Sequence, residues 1–150
     1  MRSLRASLRE KEGIMTSGII RNEKGEVITV SQKRKISSRE CDYEEYLLAG
    51  QTLLQFAVDC VSELCVYRDG QGGMLASIQG SFHAPVYACD MIELVATIER
   101  VGNRSRTIHF DVYKYVERGY DLKTGALKNE VLEEPLLVAD GTAVTVMEKF

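Results

Sequence analysis

The sequence predicts an α+β domain in which one long central helix is wrapped by a curved antiparallel sheet of about five strands. Three observations predict it. Glu45 to Tyr67 carries apolar residues at helical spacing, including Leu47, Leu53, Leu54, Ala57, Val58, Val61, Leu64 and Cys65. Several later runs switch to strict apolar and polar alternation, the period of a strand. The helix is also apolar around most of its circumference, so a flat open sheet could not bury it, whereas a twisted sheet curls and can enclose it.

Residues 1–20 are expected to form a flexible tail, because Met1 to Gly13 is highly charged; Met15 offers an alternative start. One domain is expected over residues 21–150. Asn22-Glu23-Lys24-Gly25 is a turn signal, and Val27 to Lys33 after it reads as a strand. The long helix follows, with Thr52, Gln55, Asp59, Ser62 and Glu63 as a narrow polar stripe. Gly50 inside it costs about 1 kcal/mol against alanine, which calls for a reason such as close packing. Asp69-Gly70-Gln71-Gly72-Gly73 ends the helix.

Alternation then takes over. Met74, Ala76, Ile78, Gly80 and Phe82 form one face of a strand, and Ile92, Leu94, Ala96 and Ile98 one face of another. Val101-Gly102-Asn103-Arg104 is short enough to join that strand to the next, with Ile108, Phe110 and Val112, as an antiparallel hairpin. Arg118 to Glu134 is a polar excursion, and a last strand spans about Leu136 to Met147. The expected order is strand, helix and a four-stranded meander.

The chain has 150 residues, 45% of them hydrophobic and 27% charged, which suits a single buried core. A net charge of −3 argues against nucleic acid as a partner, since that requires a dense basic face. No apolar run approaches the roughly 20 residues that cross a membrane, and the basic N-terminus has no continuous apolar stretch behind it. Cys41, Cys60, Cys65 and Cys89 form no Cys-x-x-Cys, and His83 and His109 lie far apart. The cysteines are expected to be reduced core residues rather than metal ligands, which suits a cytoplasmic protein.

Ser81-Phe82-His83-Ala84-Pro85-Val86-Tyr87-Ala88-Cys89-Asp90 and the later Val101-Gly102-Asn103-Arg104-Ser105 resemble two motifs of the hotdog-fold β-aminoacyl-CoA ammonia lyases. That family carries Phe-x-Ala-Pro-Val-Tyr-x-Gly-Asp and Val-Gly-Asn-x-Ser at these places. Asp59-Cys60-Val61-Ser62-Glu63-Leu64 and Glu134-Pro135-Leu136 resemble two further family segments, and the likeness spans about Lys35 to Val146. Before the helix the pattern departs. The family has His-Tyr-x-Gly-Asn-Leu-Val-Asp/Asn-Gly, and here the span reads Asp42-Tyr43-Glu44-Glu45-Tyr46-Leu47-Leu48-Ala49-Gly50.

The resemblance implies elimination of ammonia from a β-aminoacyl-CoA, with no cofactor beyond the coenzyme A of the substrate and no metal. It also implies a dimer or higher homo-oligomer that continues the sheet and shares its sites. Such a reaction needs a base for the proton beside the thioester carbonyl, donors for the enolate oxygen, and an acid for the leaving nitrogen. Asp42 or Glu45 is expected as the base and Tyr43 as a hydrogen-bond donor; alternatively these acids, with Glu44, only favour a helix's first turn. Asp59 is the other candidate carboxylate. His83 is expected against the thioester or pantetheine arm and Arg100, Arg104 and Arg106 against the phosphates, with Asn103 also among the coenzyme A-binding residues; alternatively the arginines only solvate a hairpin tip. Tyr113, Tyr115 and Tyr120 are expected to fill a sheet face or a subunit contact rather than stack on adenine, and His109 to point outward. The hotdog fold equally hosts acyl-CoA thioesterases and non-catalytic acyl-CoA binders, which the altered loop permits.

Overall fold

In the computed structural model the described residues are 16–148. Six strands form one antiparallel sheet: β1 Thr16–Arg21, β2 Val27–Lys35, β3 Met74–Phe82, β4 Met91–Val101, β5 Ser105–Glu117 and β6 Glu130–Val146. The single long helix, α1, spans Gly50–Asp69. The order across the sheet is β1-β2-β4-β5-β6-β3.

The expected α+β architecture of helix and curved sheet is present, with differences that matter for the site. The sheet has six strands rather than five, because Thr16–Arg21 pairs with β2 through the Asn22 turn. There Asn22 Oδ1 accepts the Lys24 and Glu26 N–H groups, each at 3.0 Å, and Gly25 takes the positive φ of 79°. Residues 16–20 are therefore strand, not tail; residues 1–15 of that expectation lie outside the described residues.

The four-strand meander is corrected too. Only β4, β5 and β6 follow one another; β3 pairs with β6 on the far side and becomes an edge. Its residues stay exposed except the half-buried Ile78. The polar excursion is shorter than expected, since β5 runs to Glu117 and β6 begins at Glu130.

The core forms between one face of α1 and the inward residues of the central strands. Phe56, Val61 and Leu64 meet Val30, Leu94, Ile108 and Phe110, all buried. Gly141 admits the Phe110 ring, since a Cβ there would come within 2.5 Å of Phe110 Cζ. Glu63, expected on the polar stripe, is instead buried and accepts a hydrogen bond from Gln32 Nε2. The opposite face of α1, with Gln51, Gln55, Asp59 and Val66, is exposed, so the helix is bare on one side of the single chain. Gly70, in the left-handed conformation, closes the helix by donating to Val66 O at 2.9 Å.

Candidate active site

The helix begins at Gly50, not Glu45. Glu45 and Tyr46 adopt positive φ values of 58° and 61°, which end any helical run before it starts. Leu47 instead bridges to Tyr87, and the Leu48 N–H donates to Val86 O at 2.8 Å. The consequence is a groove of about 450 Å³ at the start of α1, lined by Leu47, Leu48, Gly50, Leu53, Phe82, His83, Ala84, Pro85 and Val86.

Two kinds of polar group reach this apolar groove. The first is the open end of the helix. Thr52 and Leu53 donate to Ala49 O at 3.1 Å, and Ala49 has no side-chain cap. The amides of Gly50 and Gln51 precede them at the positive end of the helix dipole. Gly50 has the close packing its position called for: a Cβ there would lie 3.1 Å from Phe82 Cζ. The second is His83, whose Nε2 lies 2.9 Å from Oδ1 of Asp140 on β6. The His83 N–H donates to Val138 O at 2.8 Å, so β6 holds both backbone and ring.

The sequence candidates do not all meet here. Asp42, Tyr43 and Glu45 are exposed and none lines the groove, and α1 has no acidic residue in its first turn. The expectation that they open the helix fails because the left-handed pair Glu45-Tyr46 turns the chain first. Glu45 O accepts from Arg118 Nη1 at 3.0 Å, which fixes that loop beside the groove. Asp59 stands on the bare helix face, about 13 Å along the axis from Gly50 at 1.5 Å per residue. Partial burial pushes its carboxyl above the usual range, and Arg34 offsets part of that rise.

Asn103, Arg104 and Arg106 line a separate cavity of about 450 Å³ with Asp69, Gln71, Met147 and Glu148. This cavity lies at the C-terminal end of the 20-residue helix, about 30 Å from the groove. Arg106 is engaged in the fold. It grips both oxygens of Asp69, at 3.0 and 3.1 Å, and donates to the carbonyls of Gly102 and Ser105. Arg104 Nε donates to Met147 O at 3.1 Å and its side chain borders the cavity. His109 Nε2 lies 2.9 Å from Asp111 Oδ1, away from the groove. Among the described residues no group of three or more His, Cys, Asp or Glu could hold a metal ion. Nor is any described helix long and apolar enough to cross a membrane.

Asp140 was missed from sequence because it lies 57 residues from His83 and meets it only through the β3–β6 pairing. Its one signal was position. It falls in a strand otherwise rich in Val, Ala and Leu, among Leu137-Val138-Ala139-Asp140-Gly141.

Residues 52–118 match the family model described as the thioesterase superfamily. The 3-aminobutyryl-CoA ammonia lyase of Acetoanaerobium sticklandii is 33% identical over 120 residues, 78% of this chain and 94% of that protein. The solved β-alanyl-CoA:ammonia lyase from Clostridium propionicum superposes with a TM-score of 0.74 at 27% identity, over 81% of this chain and 85% of that one. An acyl-CoA hydrolase from Staphylococcus aureus, solved with butyryl coenzyme A and coenzyme A, shares the fold at 15% identity. Its TM-score is 0.62, over 81% of this chain and 66% of that one.

Proposed function

Because the chain belongs to the β-aminoacyl-CoA ammonia lyase family of hotdog-fold proteins, we propose that it eliminates ammonia from a β-aminoacyl-CoA to give an enoyl-CoA. The observation that carries this reading is the apolar groove at the start of α1, where helix amides and an aspartate-paired histidine line one space. The thioester carbonyl lies at the Gly50 and Gln51 amides. These suit the enolate oxygen because they are fixed donors at a positive helix end. With Nε2–H donating to Asp140, His83 keeps Nδ1 as a proton acceptor for the α-hydrogen. The electrons of that C–H bond form the enolate. Their return expels the β-nitrogen as ammonia, which takes up the proton to leave as ammonium. Asp42, Tyr43 and Glu45, exposed on the segment that leads into Leu47 of the groove, attract the substrate's ammonium group; their exposure suits capture better than proton transfer.

A second copy of the chain completes the reading. The β3 edge presents nine residues, including Met74 at 69% and Phe82 at 49% exposure, and open edges pair readily. Antiparallel pairing of two such strands, each about 30 Å long, sets the partner's Met74 end beside this chain's Phe82. The hairpin with Asn103, Arg104 and Arg106 lies at the Met74 end, where Met74 and Ser105 both pair with Val146. Arg104 then stands by the other copy's groove, where the coenzyme A phosphates emerge. The bare face of α1, with Asp59, faces the same partner.

Incubation with 3-aminobutyryl-CoA or β-alanyl-CoA tests the reaction. Ammonia and an enoyl thioester in equal amounts support it. Free thiol without ammonia makes the protein a thioesterase, and coenzyme A binding without either product makes it a binder only.

A further inference from the structure

We infer that Lys114 and Asp90 are positioning residues for the groove, their buried ion pair gripping the Pro85 carbonyl from behind and setting the wall against which the thioester lies. The assay, though not the geometry, rests on the lyase reading above.

Lys114 occupies an inward position of β5 between Val112 and Val116, where alternation calls for an apolar side chain. It is 2% exposed and Asp90 is 0% exposed. Lys114 Nζ lies 3.1 Å from Asp90 Oδ2 and donates to Pro85 O at 2.8 Å. Asp90 in turn accepts the Tyr87 N–H on Oδ2 at 2.7 Å and the Arg118 N–H on Oδ1 at 2.8 Å. The Arg118 guanidinium stacks 4.1 Å over the Tyr87 ring and donates to Glu45 O. Both the Pro85–Val86 wall and the loop leading to Leu47–Leu48 therefore hang on one ionic node.

Stability does not account for such a pair. Burying two charges is costly, and apolar residues of the same volume commonly serve as well or better. What they cannot do is hold a carbonyl. Proline has no N–H to anchor it, so the Pro85 carbonyl is the backbone handle this residue offers. Lys114 takes it while Asp90 balances the charge. A displacement of about 1 Å in a groove wall can cost a hundredfold in rate.

The test uses the full-length protein with Lys114→Met, Lys114→Arg and the doubly neutral Asp90→Asn/Lys114→Met. Folding is read by circular dichroism and ammonia release by kcat and KM separately. Folded Lys114→Met should lose roughly 10- to 100-fold in kcat/KM, in line with wall displacement. Lys114→Arg should recover part of that loss, and the double variant should fold yet stay impaired. Wild-type kcat and KM in folded Lys114→Met or in the folded double variant would overturn the inference, as would failure of those two to fold, since the pair would then be structural. A wild-type protein that releases no ammonia defeats the reaction reading instead. Coenzyme A titration then decides: about tenfold weaker binding by the double variant supports the positioning role, and unchanged binding overturns it.

Discussion

His83 Nε2 lies 2.9 Å from Asp140 Oδ1, joining the end of β3 to β6 at the lip of the groove. Neither side chain is buried, so replacing one should cost little stability, within about 0.5 kcal/mol for surface positions. Catalysis should respond very differently. His83→Asn should lower kcat by roughly 100-fold or more, the usual contribution of a positioned acid or base. Asp140→Asn should lower it less, because it misorients the ring without removing it. Steady-state ammonia release, with melting curves alongside, checks both.

The two arginines at the hairpin should separate. Arg106 is spent on Asp69 and two carbonyls. Arg106→Ala should therefore cost about 2 kcal/mol of stability, the scale of hydrogen bonds to a charged group. Arg104 keeps less of its guanidinium in the fold. Arg104→Ala should raise KM for a coenzyme A thioester about tenfold, as one lost phosphate contact of about 1.4 kcal/mol does, and leave KM for the matching pantetheine thioester unchanged. Equal effects on both thioesters would remove Arg104 from phosphate binding.

Asp59 should give a pH dependence opposite to that of a salt-bridged aspartate. Partial burial raises its carboxyl in the folded state, while Arg34 only offsets this. The folded protein then holds that proton more tightly than the unfolded chain, so this group lowers stability as pH rises from the unfolded carboxylate range through the raised value. Asp59→Asn should raise the melting temperature at neutral pH, and the gain should vanish in acid, where wild-type Asp59 is protonated in both states. Thermal melts across that range check the sign.

Assembly along β3 predicts a particle of twice the 16.8 kDa chain mass, or a multiple of it, by light scattering. Leu75→Lys together with Ser77→Lys, which charge the exposed edge away from the groove, should shift the mass toward the single chain and abolish turnover together. A fully active monomer would contradict a shared site.

Much of the fold was written in local periods. The change from helical to alternating spacing after Gly73 marked the end of α1 and the start of β3, and Val101 to Arg104 announced the β4–β5 hairpin. What escaped was set by distant partners. Glu45 and Tyr46 look helix-compatible, and their left-handed conformation answers to the Leu47–Tyr87 bridge and the Arg118 hydrogen bond. The position of β3 depends on β6, far along the chain. The Asn22 turn is legible, yet a turn of that kind implies a strand on each side, and Thr16–Arg21 before it owes its strand to pairing with β2.

The site divided in the same way. His83 stood out through the Ala-Pro-Val-Tyr motif after it, and the structure puts it on the groove. Arg106 looked like a phosphate ligand because its partner, Asp69, is 37 residues away. Asp42 and Glu45 are candidates because the resemblance puts a site just before the long helix, but the helix starts later, at Gly50, and neither lines the groove. Lys114 carried the clearest unused signal: a lysine on the apolar face of a strand must find a buried partner.

In the proposed reaction the α-carbon of the thioester lies beside His83 with its carbonyl at the start of α1. Turnover of β-alanyl-CoA in heavy water, with mass analysis of the thioesters recovered, reads that directly. Wild-type protein should place deuterium on the α-carbon, and His83→Asn, still binding coenzyme A, should place almost none. Equal deuterium incorporation by the two proteins would contradict the assignment and move the base elsewhere.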